Sequence, residues 1–184
     1  MKTVKSLVLT VLIGASIVAC KKGDNDPFLS LRSRDARVAG EWKLDSWSSK
    51  EISTFQFETE YDTISYESND FDGANLRYFL IDSVDTLDLP NSFSLDLVMD
   101  KDGTFTRTTE IEYDTYLEEG NWTWTNDGKN KTGIAFDDQD GAYDVLELRN
   151  KKMVLTKSSQ EMYTDSAGAI LTTTYSEKRT YIQE

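Results

Sequence analysis

Apolar and polar residues alternate along most of this chain, and that period of two constrains the fold more than any other sequence feature. The clearest run extends from Phe93 to Asp100, with apolar residues at positions 93, 95, 97 and 99. Successive side chains of a β-strand point to opposite faces. The pattern therefore predicts a strand that buries one face and exposes the other.

Tight-turn signals separate the alternating runs. The pair Asp-Gly occurs at positions 72–73, 102–103, 127–128 and 140–141. Glycine adopts the positive φ angles of such turns without strain, and aspartate tolerates them better than most residues. Two alternating runs joined by such a pair are typical of a β-hairpin.

The Asp-Gly pairs divide the chain into short strands, together with weaker turn signals at residues 119–120, 150–151 and 166–168. The predicted strands cover residues 40–49, 53–67, 75–88, 92–100, 104–117, 120–126, 131–137, 142–149, 152–163 and 170–182. A meander of this kind removes its exposed edges by closing into a barrel.

We therefore predict an all-β protein, an antiparallel up-and-down β-barrel of about eight to ten strands. Closure requires residues 170–182 to lie antiparallel beside residues 40–49. Asp26-Pro27 is typical of a helix start, with an N-cap residue followed by proline. A short N-terminal helix is therefore expected to end near Ala39.

The first residues are typical of an export signal rather than of the folded domain. Lys2 and Lys5 precede the apolar run 7–19, which is shorter than the roughly 20 residues that span a bilayer. The run ends at Cys20, the one cysteine of the chain. A plain signal peptide or a short anchor helix would be the alternatives.

The segment Ile17-Val18-Ala19-Cys20 resembles the bacterial lipobox. The resemblance implies cleavage by signal peptidase II before Cys20 and acylation of that cysteine. Each buried CH₂ group of the acyl chains contributes about 0.8 kcal/mol to membrane anchoring. Lys21 in place of the aspartate that retains some lipoproteins at the inner membrane implies the outer membrane, facing the periplasm or the cell surface. We thus divide the chain into a signal peptide (1–19), an acylated tether (20–26) and a barrel domain (27–184).

The charge and the missing residue types limit the functions to consider. The net charge of −13 becomes about −15 once Lys2 and Lys5 are removed with the signal, which disfavours nucleic acid as a partner. There is no histidine, and Cys20 is committed to lipid, so histidine-based triads, Cys–His nucleophiles and ordinary zinc sites are excluded. We expect no catalytic residues, no metal and no cofactor in a monomeric protein.

Two acidic patterns have alternative interpretations. Residues 100–103 and 137–141 resemble fragments of calcium loops but lack the closing glutamate, so we interpret them as turns. The adjacent acids Glu118 and Glu119 could suggest glycoside hydrolysis. Neighbouring acids are expected by chance among 33 acidic residues, and we predict a non-enzyme.

Two short tryptophan motifs carry a resemblance to a known family. Gly40-Glu41-Trp42 follows the predicted helix at the start of the first strand, and residues 120–124 read Gly-Asn-Trp-Thr-Trp. Together with the lipobox, this layout resembles the lipocalin-like domains of small Gram-negative lipoproteins. The resemblance implies that Trp42 packs across the closed end of the barrel, with a late arginine, Arg179, over its ring. Gly40, Trp42 and Arg179 would then form the fold signature.

The resemblance implies a binding function for a small apolar ligand inside the barrel. The side chains expected to line it are Leu97, Met99, Phe105, Trp122, Trp124, Ile134 and Leu155. Ordinary barrel core is the alternative interpretation of these residues, since large aromatic side chains dominate most cores. A second functional hypothesis is an acidic cell-surface interaction or inhibitor protein that binds a basic partner. A membrane-embedded barrel, with apolar residues facing outward, is the structural alternative.

Overall fold

A computed structural model describes residues 33–82, 86–126, 131–138 and 140–183. Within these ranges the chain forms one short helix and ten strands. The helix α1 spans Arg34–Val38, and the strands are β1 Gly40–Phe57, β2 Glu60–Phe71, β3 Asn75–Asp82, β4 Thr86–Met99, β5 Thr104–Ile111, β6 Asp114–Trp124, β7 Gly133–Phe136, β8 Ala142–Arg149, β9 Lys152–Thr164 and β10 Ile170–Ile182.

The strands form a closed antiparallel barrel in which each strand pairs with its sequence neighbour. The last strand returns to the first, with Lys43 opposite Ile182 at one end of the ladder and Gln56 opposite Ile170 at the other. The predicted fold class and the predicted pairing of the first and last strands are therefore confirmed.

Strand β1 changes partner along its length. Its first residues, Gly40–Lys43, pair with β4, whereas its residues from Trp47 onward pair with β2. The β2–β3 hairpin is thus inserted between β1 and β4 above this fork. We call the end of the barrel that holds α1 the lower end, and the end that holds the β1–β2 turn the upper end.

The barrel wall is complete only in its lower half. Strand β7 meets β6 at Trp122–Trp124, and the pairing of β8 with β9 stops at Thr156. Above that level, residues 114–121 of β6 and 157–164 of β9 have no strand between them in the described part of the chain. We call this opening the wall slot.

The apolar core fills the lower half of the barrel. On β4, Leu95, Leu97 and Met99 are buried, and the residues between them are exposed or half-buried. The apolar side of the strands thus faces the interior, the reverse of what the membrane-embedded alternative requires.

Two predicted strand boundaries are wrong because the turns there contain no glycine. The predicted strands 40–49 and 53–67 are divided instead by a turn at Glu58, whose φ is 53°. The predicted strand 104–117 is likewise interrupted at Glu112, whose φ is 56°. A left-handed glutamate gives no compositional signal for a turn.

Gly120 lies within β6 and does not form the predicted turn. A Cβ atom at this position would lie 2.8 Å from Cε1 of Phe105, so the glycine allows that ring to pack against the strand. The predicted strand 75–88 also crosses a boundary, because β3 ends at Asp82 and β4 begins at Thr86.

The Asp-Gly turns are confirmed where the structure describes them. Gly73, Gly103 and Gly141 have φ angles of 97°, 94° and 69°. The pair at 127–128 lies outside the described residues, as do the signal segment, Cys20 and the predicted helix start at Asp26-Pro27.

The described helix α1 has a capped N-terminus. Ser33 is its N-cap, and the hydroxyl oxygen of Ser33 accepts a hydrogen bond from the amide of Ala36 at 3.2 Å. No helix in the described ranges is long and apolar enough to span a bilayer.

Candidate functional site

The side chains predicted to line a ligand site lie together in the lower half of the barrel. Trp124 is partly buried, and the others are buried in one continuous core with Trp42. The buried members of the predicted set are Leu97, Met99, Phe105, Trp122, Ile134 and Leu155. They contact one another as packed core, and their role in lining a ligand stays a prediction.

The two neighbouring tryptophans of β6 are fixed by hydrogen bonds at the lower end. Their rings meet edge to face at 5.8 Å. Trp122 donates to the carbonyl oxygen of Asp100 at 3.0 Å, and Trp124 donates to the Asp35 carboxylate of α1 at 2.7 Å. Buried indole N–H groups need such partners, and the second bond connects the helix to the barrel wall.

Helix α1 and Trp42 close the lower end. The Trp42 side chain is 2 % exposed, and its N–H donates to the carbonyl oxygen of Val38 at 2.7 Å. Gly40 has a φ of 144°, and a Cβ atom there would lie 2.5 Å from the side-chain nitrogen of Gln183. Glycine is therefore required where the chain passes from the helix into β1.

Arg179 lies against Trp47, not against Trp42 as expected. The ladder places Arg179 opposite Trp47 and ends at Lys43, so Trp42 lies below the last pair of β1 and β10. The Arg179 guanidinium carbon lies 5.4 Å from the centre of the Trp47 ring and 5.2 Å from that of Tyr143. Arg179 therefore makes its cation–π contact with Trp47, which lies above Trp42 in the barrel.

A group of charged side chains covers the apolar core from above. We call it the arginine cluster, and its members are Arg107, Arg179, Asp138, Asp140, Glu177 and the half-exposed Glu118. Both arginine side chains are buried. The β7–β8 turn brings Asp138 and Asp140 over the barrel interior.

Asp140 links the two arginines. Its carboxylate accepts two hydrogen bonds from Arg179, at 2.6 and 3.2 Å, and lies 2.8 Å from Arg107. Arg107 also contacts Glu118 at 3.0 Å and Asp138 at 2.9 Å. The guanidinium of Arg107 lies 5.5 Å from the ring centres of Phe105 and Phe136, at the boundary with the apolar core.

Glu177 connects the cluster to two tyrosines. One carboxylate oxygen accepts from Arg179 Nε at 2.5 Å. The other accepts from the hydroxyls of Tyr175 and Tyr143, at 2.8 and 3.2 Å. Charge-assisted bonds of this kind orient every member of the group.

The cluster holds its groups in fixed protonation states. Burial favours the neutral form of Asp140, but Arg179, Arg107 and Lys157 outweigh it and hold the pKa of that carboxyl below 3.8. Burial, together with the negative Glu177, raises the pKa of Tyr143 and of Tyr175 far above 10. Asp140 therefore stays ionised and the two phenols stay neutral across the physiological range.

We call the barrel interior above the cluster the cup. The register with Trp47 and Arg179 identifies the inward-facing residues of each strand. Most are hydroxyl-bearing or amide side chains: Ser49, Ser53, Asn69, Tyr78, Thr109, Tyr116, Thr173 and Tyr175. The carboxylates of Glu51 and Glu67 and the apolar Leu80 lie among them. At the rim, a groove of about 420 Å³ is lined by Phe55, Glu60, Tyr61 and Asp62.

Two buried donors beside the cluster have no hydrogen-bond partner among the described residues. They are the indole N–H of Trp47 and the Nε–H of Arg107. Buried polar groups are rarely left unsatisfied in native proteins. Both atoms are out of contact with solvent, so they lie within the packed layer beneath the upper half of the barrel.

The arginine cluster was not predicted from the sequence, although a signal was present. Arg107 follows Phe105 at the spacing of inward positions, and Glu177 and Arg179 alternate with Tyr181 in the same way. Charged residues at inward positions of predicted strands indicate an internal ionic group. Only the fold could show that Asp138 and Asp140 join it from a turn.

The described side chains contain no group of three or more histidine, cysteine, aspartate or glutamate residues arranged to hold a metal ion. Comparison with known proteins finds no family model, no curated protein and no solved structure that matches this chain.

Proposed function

We propose that this chain is a lipoprotein, anchored in the outer membrane through acylated Cys20, whose barrel binds one small and mainly apolar ligand. The observation that carries the proposal is the change of lining along the barrel axis, from a packed apolar core in the lower half to half-buried polar side chains above it. The chain enters the barrel from α1 at the lower end.

The lining indicates the chemistry of the ligand. The rings of Tyr78, Tyr116 and Tyr175 offer apolar faces with polar tips, which suit a flat apolar body. Trp47 Nε1 and Arg107 Nε are buried donors without a hydrogen-bond partner among the described residues, and the ligand we propose reaches them when neighbouring side chains move aside. The ligand we propose carries a hydrogen-bond acceptor, such as a carbonyl oxygen, at one end.

The role we propose is binding rather than catalysis. Asp140 and Glu177 each accept bonds from arginine, so neither is positioned as a free general base.

The test uses the acylated protein in zwitterionic lipid nanodiscs, titrated with prodan, a neutral naphthalene probe with one carbonyl acceptor. Trp47→Phe removes the indole donor and keeps a ring, and we expect it to weaken binding about threefold to tenfold. Leu117→Ala is the matched control because Leu117 is on the outward face of β6. Equal prodan affinity for wild type and Trp47→Phe, with empty nanodiscs subtracted, would refute the cup as the site.

Mass spectrometry of a solvent extract identifies the natural ligand. The covalent acyl chains remain on the protein, so any small molecule released comes from non-covalent binding. We expect one dominant species with an apolar body and an acceptor group.

A second candidate function is that of an acidic interaction protein with a basic partner. Large apolar side chains are exposed in the upper half, among them Tyr61, Tyr113, Leu117, Met162 and Tyr163. On a surface with a net charge near −15, such side chains favour a protein partner of opposite charge.

A further inference from the structure

We propose that the wall slot is a strand-addition site, in which an extended basic segment of a partner protein pairs with the free edge of β6. The inference deepens the second candidate function and is independent of any ligand in the cup.

On the side of the slot, β6 has no strand partner among the described residues before Trp122. At Asn121 both main-chain groups point toward the β7–β8 side, since its N–H donates to the Asp137 carboxylate at 2.7 Å and its carbonyl accepts from the Asp137 amide at 3.0 Å. Main-chain direction alternates along a strand. Residues 119, 117 and 115 therefore point their N–H and C=O groups into the slot.

The other side of β6 is fully paired. The N–H of Trp122 donates to the carbonyl oxygen of Gly103 at 2.7 Å, and residues 114–121 form a ladder with β5. The edge is thus held rigidly in the extended conformation. An added strand would pair with an edge that is already ordered.

The lower barrel sets the width that we expect for the slot. Where β7 and β8 separate them, β6 and β9 are three strand spacings apart, about 14 Å. Residues 114–120 offer an edge roughly 23 Å long at about 3.3 Å per residue. A segment of several residues can therefore pair along it.

Apolar side chains flank both edges. Tyr113 is 99 % exposed and Leu117 64 % on the β6 side, and Met162 and Tyr163 are each 67 % exposed on β9. Alternate side chains of an added strand would cover these groups, which otherwise remain in water.

The charge of the slot favours a basic partner segment over a second copy of this chain as the occupant. Residues 114–121 carry Asp114, Glu118 and Glu119 and no base, and Glu161 faces them from β9. The one base on that β9 edge, Lys157, donates to the carbonyl oxygen of Asp140 at 2.8 Å. A second copy would bring the same carboxylates and be repelled, so the slot selects a basic partner.

The probe is a soluble octapeptide of alternating lysine and valine, capped at both ends. We expect it to protect the amides of residues 115, 117 and 119 from hydrogen exchange in the acylated full chain. Raising the salt concentration should weaken binding. The same peptide with N-methyl groups on every second residue, and a glutamate–valine peptide, should both fail to protect these amides.

One substitution isolates the backbone contribution. Leu117→Pro removes an N–H that points into the slot and leaves the β5 ladder intact, so we expect peptide affinity to fall at least about tenfold. Leu117→Ala keeps the N–H, so its affinity for the peptide should fall about threefold or less. Leu117→Pro should bind prodan as wild type does, which separates this result from failure of the cup proposal.

Three outcomes would overturn the strand-addition site. The first is wild-type peptide affinity in Leu117→Pro, and the second is equal binding of the N-methylated peptide, which would indicate a charged surface alone. The third is self-association of the wild-type chain that Leu117→Pro abolishes, measured by sedimentation, which would make a second copy the occupant.

Discussion

Asp140 shows how a single carboxylate organises the barrel interior. It lies between two buried guanidinium groups, and its loss would leave both with one negative partner fewer. Breaking a buried ion pair costs more than the pair itself contributes, because the remaining charge stays away from water. The same reasoning explains why the cluster escaped prediction: Asp140 lies in a turn, where aspartate is expected for conformational reasons alone.

Asp140→Asn should lower the free energy of unfolding by about 2–4 kcal/mol. Asp144→Asn, at an exposed position on β8, should change it by less than about 0.5 kcal/mol. Urea denaturation followed by tryptophan fluorescence measures both. Equal stability of the two variants would contradict a structural role for the cluster.

The pH dependence follows from the lowered pKa of Asp140. Because the folded pKa lies below the unfolded value of 3.8, this carboxylate stabilises the fold above about pH 4, and the contribution is lost as the pH falls through the folded pKa. The stability difference between wild type and Asp140→Asn should therefore shrink below pH 4. A constant difference from pH 7 to pH 2 would show that charge is not the cause.

Trp42→Ala should cost about 3–5 kcal/mol, since it removes a buried ring at the closed end of the barrel. The neighbouring Glu41→Ala, on the exposed face, serves as the control. Thermal unfolding at neutral pH distinguishes them, and a small loss for Trp42→Ala would mean that α1 closes the barrel without the indole.

The strands show which features of the fold could be read from the sequence. Alternation places the inward side of β4 correctly, and the Asp-Gly pairs place the turns at Gly73, Gly103 and Gly141. The turns at Glu58 and Glu112 were not detectable, because a left-handed glutamate is held by the two strands that it joins. The wall slot results from the short length of β7. That length depends on where the chain turns after Phe136, and the residue types there do not specify it.

Glu58→Gly should raise the stability of the β1–β2 hairpin by up to about 1 kcal/mol, because glycine adopts this positive φ without strain. The same substitution at Glu60, within β2, should instead lower stability by about 0.5–1 kcal/mol. We expect chemical denaturation to show a higher free energy of unfolding for Glu58→Gly and a lower one for Glu60→Gly. A loss at both positions would mean that the Glu58 backbone is not strained.

At the scale of the whole molecule, the proposed function depends on acylation of Cys20. Cys20→Ser should abolish incorporation of a labelled fatty acid and release the protein from the membrane fraction. Lys22→Ser is the control and should remain labelled. Retention of the label in Cys20→Ser would refute acylation at this residue.

The pairing of β1 with β10 also determines when the protein can fold. A strand made first must wait for one made last, so the barrel cannot close until the C-terminal residues are available to pair. Until then, β1 carries an open edge on the side that β10 later covers. Loss of the final strand would leave a chain with a permanently exposed β1, and we expect proteases and chaperones to recognise that edge as a mark of incomplete synthesis.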